Sequence, residues 1–236
     1  MLNMGVFGLG KKVFYFPDCG PISNSSKDSW EYLQVLKVLG VRFNLLEDIS
    51  CGHTEWWLGK RKELKSVMKK TYEKLKELSI SKLIVESAFC YFMFSEVYPK
   101  QFKDWNIKTE HVCCTIANSI KEKPIKKNLK YAYHDPCFLA RRCGIMNEPR
   151  EALKAVGVEV VEFRRNRRDS LCCGAAGGCY EKFPRLASKM ALNRASELDK
   201  GTKIVTPCNL CKLNFLDAGI DAVSFPRLLL ACLEDG

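Results

Sequence analysis

The sequence predicts an α/β protein built as two tandem small parallel-sheet lobes related by an internal repeat, with metal sites at the carboxyl ends of the strands. Three observations carry this. The same ordered set of strand-like stretches occurs twice. Helical patterns alternate with those stretches, which implies parallel pairing. Cysteines recur where the strands end.

The elements follow in order. KVFYFPDC, ending at Cys19, matches KYAYHDPC, ending at Cys137. VLGVRFNLLED (38–48) matches AVGVEVVEF (155–163), each a helix end, a glycine stop and an apolar strand. Ser50-Cys51-Gly52 matches Cys172-Cys173-Gly174. SKLIVESAFC, ending at Cys90, matches TKIVTPC, ending at Cys208, and NIKTEHVCC (106–114) matches GIDAVSFPRL (219–228). Between them, Gly59–Leu78 puts Leu64, Val67, Met68, Thr71, Leu75 and Leu78 on one helical face. Ser29–Leu39, Glu148–Val156 and Pro184–Leu198 read as helices too. The seam is the lysine-rich, proline-bearing stretch 121–128, which divides the chain into lobes 1–124 and 125–236, each of about four strands.

Composition narrows the function classes. Nearly half the residues are apolar, enough for a buried core, yet no stretch is apolar for long enough to span a membrane. The N-terminal run lacks a basic lead and a cleavage site, so a mature N-terminus is expected. Thirteen cysteines, an odd count without an export signal, fit a reducing cytoplasm, where clustered thiols serve metal or redox chemistry. The net charge of +11 suits an acidic partner or anionic substrate. It comes largely from lysine-rich helix faces, and no nucleic-acid motif accompanies it.

In open parallel sheets all strand ends face one edge, so distant thiols converge there. In the second lobe 34 residues separate Cys137 from the Cys172-Cys173 pair, and 34 more separate Cys173 from Cys208, which opens a CxxC ending at Cys211. Five thiolates exceed the four that zinc or a cubane cluster requires. An adjacent pair aimed at one site needs a relaxed backbone, which Gly174, Gly177 and Gly178 provide. The competing reading is five buried structural cysteines.

YAYHDPCFLARRCG, LCCGAAGG and IVTPCNLC resemble the CCG cysteine-rich domain of heterodisulfide reductases, shared with components of succinate or fumarate reductases and of glycolate or lactate oxidases. The resemblance covers the chain as two tandem CCG units. It implies that Cys137, Cys172, Cys173, Cys208 and Cys211 hold a noncubane [4Fe-4S] cluster that acts on a disulfide, thiol or persulfide. It also implies a complex with a ferredoxin-like iron–sulfur subunit and a flavin-containing subunit. The alternatives are an electron relay of a succinate/fumarate–quinone reductase or 2-hydroxy-acid oxidase complex, and a zinc-stabilised binding protein without redox activity.

The first lobe departs from that pattern. Ser50 and Met93 stand where cysteines are expected, leaving Cys19, Cys51 and Cys90 as metal ligands. The expectations, in order, are a cubane [4Fe-4S] cluster, a vacant site, and zinc with His53 as fourth ligand. A surface or capping role is the plainer reading of His53 alone. Arg141 and Arg142 are candidates to bind an anionic thiol or disulfide, and Arg164, Arg165, Arg167 and Arg168 either join them or form a solvated loop. His134 is a candidate proton donor to a leaving thiolate, or else a strand-end histidine satisfied by backbone. Cys113, Cys114 and Cys232 read as core, and Cys143 and Cys179 as core or as neighbours of the ligands.

Overall fold

The computed structural model describes residues 12–19, 27–120 and 129–234. The seam at 121–128, and with it the division at 124, lies outside the described residues, as does the apolar run before Lys12.

The first lobe contains β1 (Val13–Phe16), α1 (Lys27–Val38), β2 (Asn44–Leu45), α2 (His53–Trp57), α3 (Arg61–Glu77), β3 (Lys82–Val85) and α4 (Ala88–Phe92). A π-helical turn (Met93–Val97), α5 (Tyr98–Gln101), β4 (Lys108–His111) and α6 (Val112–Ser119) complete it. The second runs β5 (Leu129–Tyr133), α7 (Cys137–Arg141), α8 (Glu148–Ala155), β6 (Val158–Glu162), α9 (Cys179–Lys182) and α10 (Pro184–Ala195). It closes with β7 (Ile204–Thr206), α11 (Asn209–Asp217), β8 (Ala222–Ser224) and α12 (Phe225–Glu234).

Each lobe has one four-stranded sheet, ordered β2-β1-β3-β4 in the first and β6-β5-β7-β8 in the second. Every pairing is parallel, with Val13 beside Lys82 in one sheet and Leu129 beside Val158 in the other. The expected repeat is therefore a repeat of topology, strand for strand. It extends to packing. Helix α1 packs on α12 and α6 packs on α8, so the repeated helices exchange partners across the lobe boundary as a pseudo-twofold requires.

The reason lies in the helix faces. Val35 and Leu36 of α1 and Ile116 of α6 share one buried cluster with Leu153 of α8 and Leu229 of α12. Each such side chain contributes about 1.5–3 kcal/mol when removed from water. Two further clusters fill the outer layers, one around Phe16, Leu75 and Phe94 and one around Phe163, Ala191 and Phe215.

Two expectations need correction. The strand expected within 38–48 is only Asn44–Leu45, exposed at the sheet edge, because β2 has a single neighbour. The cysteines expected directly after strands lie further on. Cys19 is in the loop after β1, Cys90 lies within α4, Cys137 opens α7 and Cys208 caps α11. For Cys90, Cys137 and Cys208, tight turns from strand to helix carry the thiol past the last ladder bond to the start of the helix that follows. On α3 the buried face is Met68, Thr71, Tyr72 and Leu75, with Leu64, Val67 and Leu78 half-buried.

Candidate metal centres

In the first lobe three thiols meet. Cys19 Sγ lies 3.3 Å from Cys51 Sγ and 3.4 Å from Cys90 Sγ, and the latter two are 3.2 Å apart. His53, the first residue of α2, brings Nδ1 to 3.3 Å from Cys51 Sγ and 3.7 Å from Cys19 Sγ. Its ring stacks on Phe89 at 5.7 Å. Thr71 donates to the Ser50 carbonyl at 2.7 Å and Tyr98 to the Cys51 carbonyl at 3.3 Å, pinning this loop from two helices. Hydrogen bonds from Cys51 and then Cys90 hold Cys19 well below the usual thiol range, whereas burial pushes Cys51 and Cys90 up.

In the second lobe Cys137 Sγ lies 3.8 Å from Cys172 Sγ. Cys173 and Cys211 lie within 4.8 Å of each other and of a ring nitrogen of His134. Asn214 on α11 donates to the carbonyls of Cys173 at 2.6 Å and Ala187 at 3.0 Å, fastening the paired-cysteine loop to α10. A hydrogen bond from Cys137 draws the Cys172 thiol down to about 2.

The glycine after each cysteine loop does the same work in both lobes. Gly52 has φ +84° and Gly174 φ +90°, a region that side chains disfavour. A Cβ on Gly52 would sit 2.9 Å from Leu64 Cδ1, and one on Gly174 2.9 Å from Met190 Cβ. Both positions therefore need glycine for conformation and for close approach to the helix behind.

A cavity of about 170 Å³ lies between the lobes. Cys137, Cys172, Cys173, Cys208 and Cys211 all line it, as do His53 and Glu86 from the first lobe. Cys19, Cys51 and Cys90 do not. An aromatic contact links the two centres: Phe89, which stacks on His53, lies 4.5 Å from the ring of Phe138, the residue after Cys137.

The arginines are placed differently from the expectation of a substrate clamp. Arg141 donates to the carbonyl of Ser170 at 2.6 Å, so it holds the loop that leads to Cys172. Arg142 lies over the Phe92 ring, 5.7 Å from its centre. Neither lines the cavity. Arg165 pairs with Glu197 at 2.6 Å, and the backbone N–H of Arg167 donates to Asp135 at 2.7 Å, so these two brace the fold. His134 is wholly buried and does not line the cavity. Burial, then the neighbouring Arg194, pulls its imidazole down to about 3, so it is neutral at neutral pH. Cys113, Cys114, Cys143 and Cys232 belong to the inter-lobe core, and Cys179 opens α9.

Several residues of these sites carry no periodic signal. Arg150, 3% exposed, forms a two-pronged pair with Asp135 at 2.7 Å and a second with Glu162, tying the HDPC turn to the end of β6. Glu86 accepts from Tyr15 and Ser29, each at 2.7 Å, and burial raises its carboxyl to about 7. Its one visible hint is an acid directly behind the apolar strand KLIV.

No helix among the described residues is long and apolar enough to cross a membrane. The profile of the cysteine-rich domain family, CCG, matches the chain twice, at residues 13–95 and 131–216. A subunit of the dihydromethanophenazine:CoB–CoM heterodisulfide reductase of Methanosarcina barkeri is 29% identical over 89% of this chain and 54% of its own length. A subunit of the fumarate reductase (CoM/CoB) of Methanothermobacter marburgensis is 25% identical over 89% of this chain and 42% of its own. The EtfAB:quinone oxidoreductase of Syntrophomonas wolfei is 30% identical over 62% of this chain and 21% of its own. The chain thus spans about half the length, or less, of these relatives.

Proposed function

This chain belongs to the CCG cysteine-rich domain family, and we propose that it is an iron–sulfur redox subunit of a heterodisulfide reductase-like complex. Its second lobe would hold a noncubane [4Fe-4S] cluster and exchange electrons there with a disulfide, thiol or persulfide. One observation carries this reading: all five thiols of the second lobe line the inter-lobe cavity, and none of the three first-lobe thiols does. Five converging thiolates fit a multinuclear centre better than a single ion.

The cluster, when bound, would supply the electrons. The chain's own residues enclose the cavity and manage protons. Reduction of a disulfide R–S–S–R′ consumes two electrons and two protons, breaks the S–S bond and yields two thiols. Electrons would come from iron–sulfur and flavin subunits of the same complex; the relatives are themselves named as reductase subunits. Glu86 lines the cavity with a carboxyl at about 7, a group that can hold a proton at neutral pH. Arg141 would act by positioning the Cys172 loop.

For the first lobe the donor set favours zinc over the cubane. Three sulfurs and the His53 nitrogen make a Cys3His set within 4.8 Å. Zinc takes such a mixed set of four donors in a closed tetrahedral site, and it is the three thiols plus an imidazole here, against five thiols in the second lobe, that distinguish the two sites. A cubane spreads its thiolates over four irons. The first lobe would then be structural, in place of the electron relay.

Anaerobic purification with iron, sulfide and zinc quantified tests both assignments. About four irons and one zinc per chain are expected. Cys173→Ser should remove iron, its EPR signal and disulfide turnover while sparing zinc. Cys51→Ser should remove zinc and spare the iron. Iron following Cys51, or zinc without iron in the parent chain, overturns the assignment and favours a relay or a binding role.

A further inference from the structure

Arg194, on α10, is completely buried. Its Nη1 donates to Glu197 at 2.6 Å and to the Arg165 carbonyl at 2.7 Å. Its guanidinium lies 3.7 Å above the centre of the Phe163 ring. Its Nε donates to His134 Nδ1 at 3.2 Å. The His134 ring is further held edge-on by Phe215 at 5.0 Å.

A guanidinium has donors and no acceptor. His134 Nδ1 must therefore present its lone pair, and the one remaining ring proton sits on Nε2. Nε2 is buried without any hydrogen-bond partner among the described residues. A ring nitrogen of His134 lies within 4.8 Å of the sulfurs of Cys173 and Cys211. A buried donor needs an acceptor, and the sulfurs are the acceptors within reach.

We propose that Arg194 is a positioning residue that locks His134 in the Nε2–H form, so that His134 donates a hydrogen bond onto the Cys173–Cys211 side of the second-lobe centre and raises its reduction potential. The effect on potential rests on the iron–sulfur reading of that lobe; the tautomer does not. The physical cause is charge. Reduction adds negative charge to the sulfurs, and a donor aimed at them stabilises the reduced form more than the oxidised one. His134 then serves the sulfurs from behind and does not protonate substrate.

The test has two independent readouts on the full chain. Long-range proton–nitrogen NMR on isotope-labelled, metal-free protein reads the tautomer directly, since the chain has only three histidines. His134 should show a protonated Nε2 and an unprotonated Nδ1 in the parent, and a mixture of forms in Arg194→Met. Potentiometric titration followed by EPR reads the second claim. His134→Asn, which places no donor near Nε2, should shift the midpoint downward at unchanged iron content. His134→Gln, whose amide reaches about where Nε2 lies, should restore it. A parent His134 protonated on Nδ1 overturns the role of Arg194. An unchanged midpoint in His134→Asn overturns the effect on potential. A chain that binds no iron overturns the iron–sulfur reading and that effect with it, while the tautomer is still decided.

Discussion

Lys212 on α11 closes on Asp28 of α1 with Nζ–Oδ distances of 2.6 and 2.7 Å, and this ion pair joins the two lobes at the wall of the cavity. Both side chains are largely buried. Removing one partner from such a pair costs about 3–5 kcal/mol, because the other charge stays behind unpaired. Lys212→Met should therefore destabilise the chain by roughly that amount in urea unfolding, and Asp28→Asn/Lys212→Met should recover part of it. The second cross-lobe pair, Arg227 with Glu31 at 3.4 Å, is half exposed on the arginine side. Arg227→Met should cost less than Lys212→Met, because Arg227 is in contact with solvent and the buried Glu31 keeps its hydrogen bond from Ser224 at 3.2 Å. Equal losses at the two sites would contradict this ranking.

Glu86 predicts a pH dependence. Burial raises its carboxyl from 4.5 to about 7. Between those values the folded chain binds more protons at Glu86 than the unfolded chain, so stability falls as pH rises through this window. A displacement of this size corresponds to about 3 kcal/mol. Glu86→Gln should flatten that part of the stability curve and make the chain more stable than the parent at pH 7 and above. A parent curve that rises from pH 4.5 to 7, with no change on substitution, would count against a raised carboxyl.

The cavity predicts a preference in substrate charge. Its described lining includes Asp18, Glu86 and Glu181 besides Asp28, whose charge Lys212 offsets, and no lysine or arginine. One extra negative charge about 10 Å from a carboxylate costs about 1–2 kcal/mol at an effective dielectric of about 20. Disulfides with neutral or amine-bearing groups should thus show KM values about tenfold or more below those of carboxylate- or sulfonate-bearing analogues. Glu86→Gln should narrow the gap. Tighter use of the anionic analogues would instead point to capture by Arg141 and Arg142.

Much of the architecture was legible beforehand. The doubled strand order and the convergence of five thiols follow from short-range pattern and from spacing along the chain. Strand period, glycine stops and the CxxC turn are all properties of neighbouring residues. Ser50 and Met93 likewise marked the first lobe as different, since losing two thiolates changes what a site can hold.

The tertiary structure decided the rest. His53 reads as a surface histidine until α3 and α4 fold the 50–53 loop onto Cys19 and Cys90. Arg141 and Arg142 look like an anion clamp until the loop before Cys172 takes the first and Phe92 the second. Glu86 gains its raised carboxyl only when the fold buries it, and Arg194 reaches His134 across 60 positions of chain. The physical reason is common to these cases. Composition and period determine which faces are apolar, and so which elements form. Whether a polar group meets a thiol, a carbonyl or a cavity depends on which faces pack, within each lobe and across the boundary where α1 meets α12 and α6 meets α8.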